Sequence, residues 1–185
     1  MIRLKQSDVV VIDTREKPRA IKSIVAYFDR IGLKHISSKL YVGDYQLLSN
    51  GMKVVDRKQN LLEVTGNLTQ QHDRFVAEAV RAHEAGIELV VLVEEGPKVR
   101  CLEDVRNWIN PRRYSYCLQN GIPVRGNVEA NIKEYMSSGG RKQPTPGPQL
   151  YKTMKTVAEE YHIRWEFCDK RNTGKKILEI LTEGR

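Results

Sequence analysis

Apolar positions along the chain alternate between strand-like runs and helical spacings. Val9-Val-Val-Ile12 is a short β-branched run that predicts a buried strand. Ile21, Ile24, Val25, Phe28 and Ile31 then recur on one face of a 3.6-residue repeat. Pro18 suits the first turn of that helix and Gly32 its left-handed stop. Two short strands, 36–42 and 46–48, are expected to meet at Gly43-Asp44. A hairpin turn is expected at Ser49-Asn-Gly51, before a strand over 53–58. Positions 68–85 read as one helix, with Asn67 as cap and Gly86 as stop. The near-continuous apolar run 89–93 is of the kind buried on both faces of a sheet.

Leu102, Val105, Trp108 and Ile109 predict a short helix. The pattern weakens from 110 to 127, and Val128, Ile132, Tyr135 and Met136 support a further turn or two. The Ser-, Gly- and Pro-rich stretch 137–148 has the composition of a mobile loop. A helix through Leu150 and Tyr161, a strand over 163–167 and a helix over 173–183 close the chain. Alternating helices and strands predict an α/β fold with a mixed central sheet.

At 185 residues the chain fits one domain, for which the prior is roughly 100–200 residues. We expect a single domain over 1–185 with a loop-rich excursion at 110–148. The 31 Lys and Arg outnumber the 23 Asp and Glu, giving a net charge of +8 and favouring a polyanionic partner such as nucleic acid. Three separated cysteines, Cys101, Cys117 and Cys168, form no paired motif and fit a reducing, cytoplasmic compartment. No apolar stretch approaches the ~20 residues of a membrane span. The N-terminal Met1-Ile-Arg-Leu-Lys-Gln lacks the apolar region of a secretion signal.

Carboxylates recur at predicted strand ends: Asp13 and Glu16 after the first strand, Asp44 after Gly43, and Asp56 two residues before Lys58. Strand alternation sets Asp56 and Lys58 on one face and Arg57 on the other. If Asp13, Asp44 and Asp56 converge, each like-charge pair at 4 Å costs about 4 kcal/mol at an effective dielectric near 20. Protons or a cation must balance such a cluster. An all-oxygen donor set suits Mg²⁺ or Mn²⁺. A neighbouring Lys58 could orient water or meet charge developing on a phosphate oxygen.

Asp13-Thr-Arg-Glu16, Gly43-Asp44-Tyr45 and Val55-Asp56-Arg57-Lys58, in this order and at strand ends, resemble the nuclease domain of the XPF family of structure-selective endonucleases. That family belongs to the PD-(D/E)xK superfamily, and the resemblance covers residues 8–95. It implies a restriction-endonuclease-like fold, and metal-dependent cleavage of DNA near a flap, fork or junction, in recombination, repair or replication. It implies Asp44 and Asp56 as metal ligands, Asp13 and Glu16 as further acidic members, Lys58 as the catalytic lysine and Arg57 as its motif partner. Arg15 and Arg74 fall where the family carries basic residues near the scissile strand, and a homodimer is implied.

Three features depart from the family pattern. Asp56 stands where Glu is usual, Leu62 where an Asp is usual (Glu63 lies one residue on), and no helix-hairpin-helix module follows. This architecture points to a stand-alone prokaryotic or bacteriophage version. Branch recognition would then fall to the domain itself, a dimer partner or the excursion, where Arg112, Arg113, Arg141 and Lys142 are candidate phosphate contacts. A Holliday-junction resolvase and a non-catalytic DNA-binding subunit are the alternatives. The second would be expected to have lost acids or the lysine, all of which are present here.

Overall fold

The computed structural model describes residue 5 and residues 7–184. Much of the N-terminal stretch read for a secretion signal (residues 1–4 and 6) lies outside these. Strands β1 (Val9–Ile12), β2 (Lys34–Ser37), β3 (Tyr45–Leu47), β4 (Asn50–Lys58), β5 (Glu88–Glu94) and β6 (Arg164–Cys168) form one mixed sheet. Its order is β2-β1-β3-β4-β5-β6. β3 runs antiparallel to β1 and β4, and the remaining neighbours are parallel.

Helices cover both faces, because the central strands are apolar on both. β5 sends Val90 and Leu92 to one side, where α1 (Pro18–Arg30) and α7 (Thr173–Thr182) pack through Ile24, Phe28, Ile177 and Leu181. It sends Leu89, Val91 and Val93 to the other, against α2 (Leu61–Thr69), α3 (His72–Glu84) and α6 (Gly147–Tyr161). Each such apolar side chain, fully buried, contributes roughly 1.5–3 kcal/mol. β4 keeps the same alternation: Val55 joins the α1/α7 layer and Val54 the α2/α3 layer. Its functional end, Asp56-Arg57-Lys58, inherits that division.

Several expected boundaries shift. The strand expected at 36–42 is β2, earlier in the chain and paired to β1 alone. Residues 38–44 then leave the sheet and return through Gly43. The β3–β4 turn is Leu48-Ser49, and Asn50-Gly51 begin β4, because a register irregularity at Gln46/Leu47 absorbs them. The single helix expected over 68–85 is two. Asn60, whose side chain accepts from Glu63 N, caps α2, so helix begins directly after β4 and breaks at Gln70-Gln71. The excursion holds two real helices, α4 (Arg112–Gln119) and α5 (Val128–Ser137). They share a small core of Tyr116, Cys117, Ile122 and Ile132. The three cysteines are free thiols. Among the described residues no helix is long and apolar enough to cross a membrane.

Candidate active site

Gly43 places the first acid of the site. Its φ of 68° lies in the left-handed region, and a Cβ there would stand 2.1 Å from Val54 Cγ1. Only glycine passes that close to β4. The turn lets Asp44 N donate to Val55 O. Asp44 Oδ2 accepts from Arg57 N at 2.8 Å. Continuing the Tyr45–Val55 register by one residue sets Asp44 beside Asp56.

Burial, the charge of Asp56 and that of Glu16 together hold the Asp44 carboxyl well above the usual carboxylate range. Lys58 partly offsets them. Its ammonium lies 2.7 Å from Asp56 Oδ2, over the edge of the α2/α3 layer and 5.9 Å from the centre of the Phe75 ring. Burial opposes the lysine's charge, but the charge of the adjacent Asp56 outweighs it and holds the ammonium protonated. A polar cavity of about 170 Å³ opens beside Lys58, with Asn67, Gln71, Arg74 and Glu78 on its walls.

Arg57 points to the opposite layer, as alternation requires. Nε and Nη2 donate to the two oxygens of Glu94 at 2.7 and 3.2 Å, and Nη1 donates to Glu16 Oε2 at 3.2 Å. Its side chain is 2% exposed. The same Glu16 oxygen accepts from the Tyr45 hydroxyl at 3.0 Å, and burial followed by the charge of Glu16 pushes that phenol up. Thr173 Oγ1 donates to Glu94 Oε1 at 2.8 Å, tying α7 to the strand end. Arg57 and Glu16 therefore brace the floor on which Asp44 and Asp56 stand.

Asp13 departs from its expected place in a three-carboxylate metal set. Its side chain is fully buried and both oxygens are taken. Oδ1 accepts from Arg15 N at 2.7 Å and Arg15 Nε at 2.6 Å, and Oδ2 accepts from Leu40 N at 2.7 Å and Arg15 Nη2 at 3.1 Å. Burial pushes its carboxyl up, but these hydrogen bonds prevail and hold it below the ordinary range. Among the described residues no three His, Cys, Asp or Glu converge on one metal position. Asp44 and Asp56 remain as a two-carboxylate pair. That donor set, all oxygen and carrying negative charge that the lysine only partly offsets, fits Mg²⁺. This ion is commonly held by one or two carboxylates together with substrate phosphates.

The other candidates divide. Arg15 is half exposed beside Asp13, and its Nη2 reaches Gly43 O at 3.4 Å. Arg74 is exposed on the cavity wall and has no ion pair among the described residues. Glu78, four residues further along α3, accepts from Gly43 N at 2.9 Å. Glu63, one residue after Leu62, lines the same cavity as Lys58, and its Oε2 accepts from Gln59 N at 2.8 Å in the cap of α2. Arg113 is turned inward onto Glu129 and joins α4 to α5. Arg112, Arg141 and Lys142 are exposed. Glu94, Tyr45 and Glu78 carry structural duties at the site that sequence reasoning assigned to none of them. The available signal for Glu94 was an acid closing an otherwise apolar strand.

No protein-family model matches the chain, and no curated protein sequence matches it. Solved structures do. XPF from Aeropyrum pernix aligns with a TM-score of 0.55 and 21% identity, over 94% of this chain and 63% of that one. XPF from Aeropyrum pernix in complex with DNA aligns with a TM-score of 0.52 and 16% identity, over 94% and 62%. The chain thus spans less than two thirds of the length of the structures it matches. At these identities the likeness is one of architecture: this is an α/β domain with an XPF-like fold.

Proposed function

We propose that this chain is a divalent-metal-dependent endonuclease that hydrolyses DNA phosphodiesters near branches. The observation that carries the reading is the cross-strand pair Asp44 and Asp56 with the Lys58 ammonium 2.7 Å from Asp56, Lys58 itself lining a polar cavity, in an XPF-like fold. The net charge of +8 and the DNA-bound structural neighbour support DNA as the substrate. A homodimeric state and branched DNA belong to the same proposal and rest on the family resemblance.

Asp44 and Asp56 would hold Mg²⁺ or Mn²⁺. Such an ion acidifies a coordinated water and neutralises charge on the phosphate. The chain's own residues do the rest. Lys58, kept charged by Asp56, presents an ammonium to the phosphate oxygens where negative charge grows. Arg57 N fixes the rotamer of Asp44 through its hydrogen bond. Arg57, locked between Glu16 and Glu94, holds the strand end rigid beneath both acids. Arg15 and Arg74, both exposed, would contact the flanking backbone.

The test is cleavage of 5′-labelled fork, flap, four-way junction and linear duplex DNA in Mg²⁺, Mn²⁺ or EDTA. Lys58→Ala is expected to lower the single-turnover rate by about 10²–10³-fold, the loss typical of one preorganised charge. Asp44→Asn is expected to abolish metal-dependent cutting. Cutting that survives both substitutions, or that persists in EDTA, overturns the assignment.

A further inference from the structure

A second groove, of about 270 Å³, lies between the outer face of α2 and the basic loop that follows α5. α2 supplies Thr65, Gly66 and Thr69, and the excursion supplies Arg112 and Lys142. The lining carries two cations and no acid. Among the described residues neither cation has a side-chain hydrogen bond or ion pair, unlike Arg113. Residues 110–148 hold six Lys and Arg against Glu129 and Glu134, so this segment carries +4 of the chain's net +8.

The loop is displayed by its backbone. Tyr116 Oη donates to Arg141 O at 2.5 Å, and the buried Asn110 donates through Nδ2 to Thr145 O at 3.0 Å. Both ends of 141–145 are therefore pinned, and the charged side chains between them face solvent. Pinning reduces the entropy that a flexible basic loop would lose on binding. α2 begins three residues after Lys58, so one helix walls both this groove and the Lys58 cavity. Its nine residues span about 14 Å at 1.5 Å each. That is on the order of four nucleotides of a duplex strand at 3.4 Å per step.

Resting on the nuclease reading above, we propose that the α2–excursion groove is a second DNA-backbone subsite. Arg112 and Lys142 grip the phosphates of the strand that leaves the Asp44–Asp56–Lys58 site across α2. The excursion thereby supplies a grip on a DNA arm from within the domain itself.

Binding of a 5′-fluorescein-labelled forked DNA, followed by anisotropy in EDTA over a range of salt, tests this separately from cleavage. Wild type is compared with Arg112→Ala/Lys142→Ala and with a charge-matched control, Arg30→Ala/Lys34→Ala, on α1 and β2. Each lost duplex phosphate contact reduces the slope of log affinity against log salt by about 0.9. The groove variant is expected to lose about two units of slope and the control none. Thr69→Glu, at an exposed position of α2, is expected to weaken binding without disturbing the fold. Equal slopes for wild type and groove variant, with the wild type still binding and cutting in Mg²⁺, overturn the subsite alone. A wild type that binds no forked DNA overturns both the subsite and the nuclease reading.

Discussion

Arg57 and Glu94 meet between neighbouring parallel strands through two hydrogen bonds, 2.7 Å from Nε and 3.2 Å from Nη2, with both side chains 2% exposed. A fork-to-carboxylate pair of this kind is strong because two charged bonds form in one plane. It is also hazardous, because removing either partner leaves a buried charge without its counterion. Arg57 carries Glu16 and Glu94 at once, so the lower floor of the site depends on it.

Arg57→Met is therefore expected to cost about 3–5 kcal/mol of folding free energy, the usual penalty for breaking a buried pair from one side. Urea denaturation measures it. Arg57→Lys keeps the charge but cannot form the planar double contact, and is expected to fall between the two. A variant as stable as wild type would mean that Arg57 is no brace.

Asp13 contributes to the acid limb of stability. Its folded carboxyl sits below the ordinary value of 3.8 because Arg15 and Leu40 N outweigh its burial. A depressed carboxyl stabilises the fold above the unfolded value and loses that contribution as pH falls through the folded one. Wild type is therefore expected to lose stability below about pH 4, and Asp13→Ala to show a weaker acid dependence there. At neutral pH the variant is expected to lose about 2 kcal/mol, since the Leu40 N–H loses its acceptor. Thermal melts from pH 2 to 7 make the comparison.

Asp44 has the opposite sign. Burial, Asp56 and Glu16 raise its carboxyl, so the folded protein favours the protonated form. That preference stabilises the fold below the ordinary carboxylate range and is lost as pH rises through the raised value. In EDTA at neutral pH, Asp44→Asn is expected to melt above wild type, with the gap closing toward pH 4. Added Mg²⁺ is expected to reverse the order. At a hundredfold excess over its Kd a ligand adds about 2.7 kcal/mol to the protein that binds it, and the variant gains none. A melt of wild type that Mg²⁺ leaves unmoved would remove metal binding from the reading.

Much of the fold is legible in the sequence where one physical signal dominates. The strand at 9–12, the helix from Pro18 and the apolar run at 89–93 are read from periodicity, because burial on one or two faces dictates which positions are apolar. The break in the helix at Gln70-Gln71 is not legible, because Leu61, Val64 and Leu68 set a helical spacing that Phe75 and Ala79 extend. α4 is also hidden. Its apolar content is low, and its small core forms only when Tyr116 and Cys117 meet Ile122 and Ile132.

The sequence by itself determined the chemistry on offer: acids and a lysine at strand ends, Asp56 and Lys58 on one face, and an excess of positive charge. It could do so because alternation along a strand is a local property with a period of two. Only the tertiary structure decided which acids share the site. Asp13, Asp44 and Asp56 look equivalent as residue types, yet Leu40 N and the Arg15 guanidinium claim Asp13 entirely, while Asp44 is set beside Asp56. Likewise Arg113 is drawn onto Glu129, while among the described residues its neighbour Arg112 has no side-chain ion pair. A charge acts through what surrounds it, and those surroundings are assembled from parts of the chain far apart in sequence.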